Sequence, residues 1–291
     1  MTDTKIHIQI HGLAIGDDHP VRVMGVLNVS GESFYKKSVV QPKDIHVKAR
    51  EMIDNGATML DVGGRSTAPT APSISVAEEK KRVEAALNAL LPKLENDAVL
   101  ISVDTQYKDV ADYALKTFER HGMDEQFILN DVSGLHGDPE LAPWIADVGK
   151  SVIIMASHEK PGDSLGIDQA INDLTGSIAL LENLDYDTTQ VIVDPAIGHW
   201  IPEKVPEYDL ELLNRLQAFR SLGHCILVAI SRKSFIGEIL AAKPDDRFHG
   251  TLSATAIAVF NGAHVIRTHD VNKETIDVIK IAEAIKHKQL V

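Results

Sequence analysis

Eight short apolar runs rich in Val and Ile recur along the chain, at 21–29, 59–62, 99–103, 127–130, 151–155, 191–193, 226–230 and 264–267. Runs of this length with little polar alternation read as strands buried on both faces, which is how parallel strands sit. The stretches between them have a different period. Residues 76–94 carry Val83, Leu87, Leu90 and Leu94 at three- or four-residue intervals among Glu and Lys, the stripe of an amphipathic helix. Helical spacing also covers 44–55, 108–120, 167–184, 209–222, 253–261 and 273–286. Between 130 and 151, Pro139 and Pro143 limit any helix to about two or three turns.

Eight such βα units in 291 residues predict a (β/α)8 TIM barrel, a fold of about 250 residues. An open doubly wound sheet is disfavoured, because the chain lacks a Gly-rich phosphate turn with an acidic residue at the end of the next strand. Ahead of the first run, residues 6–13 alternate Ile with His and Gln before Gly16, Asp17 and Asp18, which suggests a short β-hairpin closing the barrel bottom and turning at those three residues. With no linker, repeat or low-complexity tract, residues 1–291 read as one domain.

Charge and cysteine usage exclude some partners. Lys and Arg total 29 against 42 for Asp and Glu, a formal charge of -13, which disfavours nucleic acid and anionic membrane surfaces. The single cysteine, Cys225, lies in an apolar run, so neither an intrachain disulfide nor a cysteine zinc site is available. No apolar stretch approaches the roughly 20 residues that span a bilayer, and the first five residues lack a signal-peptide core. A cytoplasmic protein is expected.

In a TIM barrel the site forms at the carboxyl ends of the strands, so the polar residues that end each run are candidates by position. They are Asn28, Asp61, Asp104, Asn130 with Asp131, Met155 with Ser157 and His158, Asp194, Lys233 with Ser234, and Arg267 with His269. Asp104, Asn130 and Asp194 offer acceptors to a ligand with amide- or guanidine-like donors. Arg267, Lys233 and His269 offer cation and donor groups to an anionic portion. Any single carboxylate could equally cap a helix or pair with a neighbouring Lys or Arg; it is their joint occurrence that implies a bifunctional ligand.

The chain resembles the dihydropteroate synthases of the pterin-binding barrel family, from about His19 to Val271. The resemblance rests on Met24-Gly25-Val26-Leu27-Asn28-Val29-Ser30, Asp61-Val62-Gly63-Gly64 with Ser66-Thr67-Ala68-Pro69, Ser102-Val103-Asp104-Thr105 and Asn130-Asp131-Val132-Ser133-Gly134. Asp194-Pro195, Ser231-Arg232-Lys233-Ser234-Phe235-Ile236-Gly237 and Arg267-Thr268-His269-Asp270-Val271 complete it. It implies condensation of a dihydropterin methyl diphosphate with an arylamine, normally p-aminobenzoate, with loss of pyrophosphate and no covalent protein nucleophile. By motif, Asp104, Asn130, Met155, Asp194, Lys233 and Arg267 would hold the pterin. Asn28, Thr67, Arg267 and His269 would meet the diphosphate, and Lys233, Arg267 and His269 would act in catalysis. Asn28 would also bind Mg2+, and Thr67, Pro69, Ser234 and His199 would contact the arylamine.

Departures from the family pattern cluster around the second substrate. The usual Gly-Glu-Ser-Thr-Arg-Pro-Gly loop reads Gly64-Arg65-Ser66-Thr67-Ala68-Pro69-Thr70, so one cation is lost at Ala68 and another gained at Arg65. His199 stands where a Phe is usual, and residues 30–37 depart from the family's first loop. An arylamine larger than p-aminobenzoate or differently charged, as one bearing a sugar phosphate, is the expectation these changes raise. Loops 30–41 and 65–75 are expected to close over substrate. A homodimer is expected through the last helices, with Ile257, Val259 and Phe260 as the apolar contribution. The alternatives are a pterin-dependent methyltransferase and a non-catalytic pterin-binding protein.

Overall fold

The structure, a computed structural model, describes residues 5–31, 39–66 and 71–287. Among these, eight parallel strands close into a barrel. They are β3 (Arg22–Asn28), β4 (Met59–Gly63), β5 (Leu100–Asp104), β6 (Phe127–Asp131), β7 (Ser151–Met155), β8 (Val191–Asp194), β9 (Cys225–Ala229) and β10 (Val265–Thr268). They pair in chain order, with β10 closing on β3. The helices between them are α1 (Ile45–Asp54), α2 (Val76–Leu90), α3 (Lys108–Arg120), α4 (Leu141–Val148), α5 (Gly166–Glu182), α6 (Pro206–Asn214), α7 (Ser234–Leu240), α8 (Phe248–Phe260) and α9 (Lys273–His287). The (β/α)8 barrel read from the apolar runs is the observed fold.

Alternation along each strand sorts two cores. Val62, Val103, Leu129, Val193 and Val228 point outward and pack under the helices. Met24, Met59, Leu100, Ile128, Ile153, Ile192, Leu227 and Val265 point inward and fill the barrel floor. The hairpin plugs that floor from below: Ile8 and Ile10 of β1 (His7–Ile10) and Ile15 of β2 (Leu13–Gly16), with Ile6, join the inner cluster. Its turn is at His11-Gly12, both at positive φ (40° and 82°), a two-residue loop whose twist suits antiparallel strands. The expected turn at Gly16-Asp17-Asp18 is instead the exit toward β3. There Asp17 clasps the plug to the barrel. Its carboxylate accepts from the Arg220 guanidinium at 2.7 and 3.0 Å and from the Ile6 amide at 2.9 Å, and faces His264 Nε2 at 3.2 Å.

Several helices differ in extent from their sequence reading. The run at 76–94 ends as α-helix at Leu90 and tightens into a 3-10 turn at Leu91–Lys93, where Pro92 has no amide to donate. Ser75 caps α2 by accepting from the Glu78 amide at 3.1 Å. The stretch at 209–222 divides into α6, opened early by Pro206 at its first turn, and a 3-10 segment at Leu216–Leu222. α8 starts five residues earlier than the expected 253, and α7 was not expected at all.

Candidate functional site

The inward positions nearer the strand ends are polar. Register sets Asn28 beside Gly63, Gly63 beside Asp104 and Asp104 beside Asn130, while Met155 lies beside Asp194. One residue pair below the ends of β4 and β5, Asp61 and Ser102 are fully buried. Above the apolar floor, these groups open into a cavity of about 580 Å3. Asn28, Asp104, Asn130, Met155, Asp194, His199, Lys233, Ser234, Arg267 and His269 all line it. Thr67 and Pro69 lie outside the described residues, as do parts of both loops expected to close.

Asp61 is the hub behind the cavity wall. Arg267 donates to it through Nε at 2.7 Å, and its Nη2 lies 2.5 Å from the same oxygen, Oδ2. Asn130 Nδ2 donates to Oδ1 at 3.1 Å, and the Ser102 hydroxyl makes a short bond to the same oxygen. Arg267 Nη2 also reaches Asp104 Oδ2 at 2.9 Å. One guanidinium thus holds two carboxylates. Burial alone would push that guanidinium toward neutrality, but Asp61 and Asp104 outweigh it and keep Arg267 firmly cationic.

Asp104 takes the opposite consequence. Burial first, then the neighbouring Asp61 charge, raise its carboxyl well above the usual range, and Arg267 only partly opposes them. Burial likewise raises Asp194, although it accepts from the Ala196 amide at 2.8 Å and faces Lys233 and Arg267. Carboxylates held this way await donors; a ligand presenting amino and ring N–H groups would supply them. Lys233 is pushed down to about 8 by burial, with Asp194 opposing and Arg267 adding to the shift.

The strand ends that carry Lys233 and His269 are tied together by Arg232. Arg232, at φ 55°, forms a bidentate pair with Asp270 at 2.8 and 3.0 Å and donates to the carbonyls of Pro244 and Asp245. That joins the ends of β9 and β10 beside Lys233 and His269. The Ser231 hydroxyl lies 3.0 Å from His269 Nδ1 and accepts from the His269 amide at 3.2 Å. Of the cation and donor groups expected here, His269 is a donor. Burial, then Arg267 and Lys233, push it down to about 3, so it is a neutral imidazole near pH 7.

At the mouth between β4 and β5, Arg65 donates from Nε to Glu79 Oε2 at 2.6 Å and lies over the Tyr107 ring, 5.1 Å from its centroid. Glu79 is fully buried and also accepts from the Thr105 hydroxyl at 2.5 Å. The cation gained in the second loop is therefore neutralised within the protein. Asn28 Oδ1 accepts from the Ser30 amide at 3.1 Å and from its hydroxyl at 2.6 Å. Among the described residues no group of three or more His, Cys, Asp or Glu side chains could hold a metal. Asn28 offers one neutral oxygen, from which the Ser30 hydroxyl can rotate away. That would suit a hard cation such as Mg2+ held mainly by phosphate oxygens of a bound substrate.

Sequence reasoning did not single out Trp200 or Lys204, both in the loop between β8 and α6, nor give Asp61 a role. Trp200 and Arg65 line the cavity. Asp61 is recognisable from alternation, sharing a strand face with Gly63 two residues on. Lys204 carries no such signal.

Residues 24–269 match the family model described as pterin binding enzyme. The dihydropteroate synthase of Bacillus subtilis (strain 168) is 33% identical over 269 residues, covering 91% of this chain and 89% of that protein. A dihydropteroate synthase from Coxiella burnetii, solved in complex with pteroic acid, superposes with a TM-score of 0.79 at 29% identity over 97% of this chain and 98% of its own. That of Xanthomonas albilineans, solved with 4-aminobenzoic acid, gives 0.80 at 28% identity over 97% and 99%.

Proposed function

This chain belongs to the pterin-binding enzyme family, and we infer from that premise how its barrel mouth carries out the dihydropteroate synthase reaction of folate biosynthesis. The enzyme is a transferase. It joins the methylene carbon of a dihydropterin methyl diphosphate to an arylamine nitrogen and releases pyrophosphate. The observation that carries the assignment of roles is the gathering, in one cavity, of Asp104, Asn130 and Asp194 with Lys233 and Arg267.

In this reading Asp104 and Asp194 accept from the pterin amino and ring N–H groups. Asn130, with its amide nitrogen committed to Asp61, presents its oxygen as a further acceptor. Lys233 donates to the pterin carbonyl and ring nitrogen, and Met155 packs against the ring. The methylene carbon–oxygen bond breaks with its electron pair leaving on the diphosphate. The arylamine lone pair forms the new carbon–nitrogen bond, and the amine proton is lost to solvent. Arg267 and neutral His269 donate to the departing oxygens and stabilise the charge that develops there. Mg2+ held by Asn28 Oδ1 and the diphosphate would neutralise part of the same charge. Ser234, the first residue of α7, and His199 flank the entry for the arylamine, with Thr67 and Pro69 as further contacts.

Since Arg65 is paired with Glu79, p-aminobenzoate is the first amine to test and an arylamine with an added anionic arm the second. The direct test is pyrophosphate release from the pterin diphosphate with Mg2+ and p-aminobenzoate, with Lys233→Ala as control. Amine-dependent release that collapses in the variant supports the reading. Binding of the pterin without release, for any arylamine offered, would favour a methyltransferase or a non-catalytic pterin-binding protein.

The working assembly in this reading is a homodimer. Ile257 and Phe260 of α8 and Ile281 and Ile285 of α9 are 44 to 63% exposed, and with Ala256, Val278 and Ala282 they line an apolar groove of about 460 Å3. A second copy would cover this face by two-fold symmetry, each groove meeting the other. Val259, expected in that interface, is fully buried in the core instead. Among the described residues no helix is long and apolar enough to cross a membrane. The buried free thiol of Cys225 accords with work in the reducing cytoplasm.

A further inference from the structure

The ammonium of Lys233 lies 4.4 Å from the centroid of the Trp200 ring. Gly198 also lies against it, where a Cβ would come within 3.0 Å of both Cδ and Nζ of Lys233. The lysine therefore packs against an indole face and against bare backbone. Gly198 and Trp200 belong to the 195–205 loop, and two buried charged residues, Lys204 and Asp209, each hydrogen-bond to that loop's backbone.

Lys204 is fully buried. Its ammonium donates to the carbonyls of Ala196 at 2.6 Å and Gly162 at 3.3 Å. Trp200 Nε1 donates to the same Ala196 carbonyl at 3.1 Å. Asp209, also fully buried, accepts from the Gly198 amide at 2.7 Å. The indole leans on Gly162, where a Cβ would lie 2.2 Å from its Cγ. Two loops, after β7 and after β8, are thus tied to one buried lysine, and each tie bears on where the indole stands.

We propose that Trp200 is a positioning residue that holds the Lys233 ammonium against the acceptor edge of the pterin, and that Lys204 and Asp209 are the buried supports that keep the indole in place. The inference rests on the pterin assignment of this cavity. Its physical content is a cation–π contact in a site shielded from water, where such contacts are strongest and Trp is the best ring. The ring face favours the protonated lysine, against the burial that pushes Lys233 down to about 8. The other charges facing Lys233 are Asp194 of β8, Arg267 of β10, Asp209 of α6 and Lys204 of the loop. All four persist when Trp200 is replaced.

The test is kcat/KM for the pterin diphosphate, measured from pH 6 to 9 in the full chain with Mg2+ and a saturating arylamine. Trp200→Leu and Trp200→Phe are compared with wild type. Losing a contact of about tenfold strength moves the basic limb down by about one pH unit. Trp200→Leu should then stand near wild type at pH 6 and about tenfold lower at pH 9, through KM with kcat little changed. Trp200→Phe should recover most of the loss. Titration of Asp104 is common to all three enzymes and cancels in the ratio. A Trp200→Leu deficit equal at pH 6 and pH 9, or a Phe variant no better than Leu, would mean the indole only fills space and would overturn the inference. If wild type neither binds nor turns over the pterin diphosphate, it is the assignment of the cavity that fails.

Discussion

Replacing Asp61 by Asn tests the central claim about the site, that one buried carboxylate sets the state of everything around it. Asn keeps the volume and an acceptor for the Ser102 hydroxyl and the Asn130 amide. What it removes is the charge opposite Arg267, where Nε and Nη2 approach Oδ2 at 2.7 and 2.5 Å. Hydrogen bonds to charged groups contribute about 1.5–3 kcal/mol each. The two contacts share one oxygen and Arg267 retains Asp104 at 2.9 Å, so a loss of about 2–3 kcal/mol is expected for the pair, smaller than for an orphaned buried charge. At about 2.1 cal/mol/K per residue the unfolding entropy of this chain is about 0.6 kcal/mol/K, so Tm should fall by about 3–5 °C. The second consequence is functional and opposite in sense. Asp61 is, after burial, the largest cause of the raised Asp104 carboxyl, so Asp61→Asn should lower the pH at which Asp104 ionises and shift the acid limb of pterin binding downward. Calorimetric melting and a pH titration of pterin affinity read the two effects separately. A Tm within one degree of wild type together with an unmoved acid limb would refute the hub.

The wild-type pH profile for pterin diphosphate should be a narrow bell: affinity falls on the acid side as Asp104 takes up a proton and on the basic side as Lys233 loses one near 8. Initial rates at subsaturating pterin measure it, and a flat profile from pH 5 to 9 would contradict both assignments. Asp17→Asn should cost about 2 kcal/mol, discounted for its partial exposure, by unclasping the hairpin plug; chemical denaturation measures the loss. Burial would raise Asp17, but His264 and Arg220 hold it well below the usual carboxylate range, while burial lowers His264 against the pull of Asp17. Both groups bind fewer protons folded than unfolded, so wild-type stability should decline as pH falls below 6.5 and again below 3.8, the second step being the one lost in Asp17→Asn. Phe260→Glu should place a charge in the apolar groove between α8 and α9 and yield a monomer by light scattering, and an unchanged mass would argue against that face.

The barrel was legible because its strands are buried on both faces and its helices on one, which writes two different periods into the chain. The strand-end rule likewise collected Asp104, Asn130, Asp194, Lys233 and Arg267, since polar residues closing apolar runs share one rim. Depth was not legible. Asp61 and Gly63 alternate on one strand, and only register against β5 tells that the first lies below the mouth and ties to Ser102 and Arg267. α7 escaped notice because seven residues with a glycine inside, Gly237, carry too few turns for a periodic stripe. Lys204, in a stretch with two prolines and two glutamates, reads as a solvated charge. Its burial depends on carbonyls from two different loops, a long-range fact with no local signature.

The plug beneath the barrel has a consequence for synthesis. Ile8, Ile10 and Ile15 are made before any strand of the barrel, yet the floor they seat in is completed by Val265 of β10, and Asp17 lies 247 residues before its partner His264. At about 5–20 residues per second the ribosome takes roughly 12–50 s to travel that distance. Throughout that interval the isoleucine edge has no complete floor to rest on. The hairpin, translated ahead of the barrel, is thus seated only when the last strand arrives, and it is where a holding chaperone would have most to cover.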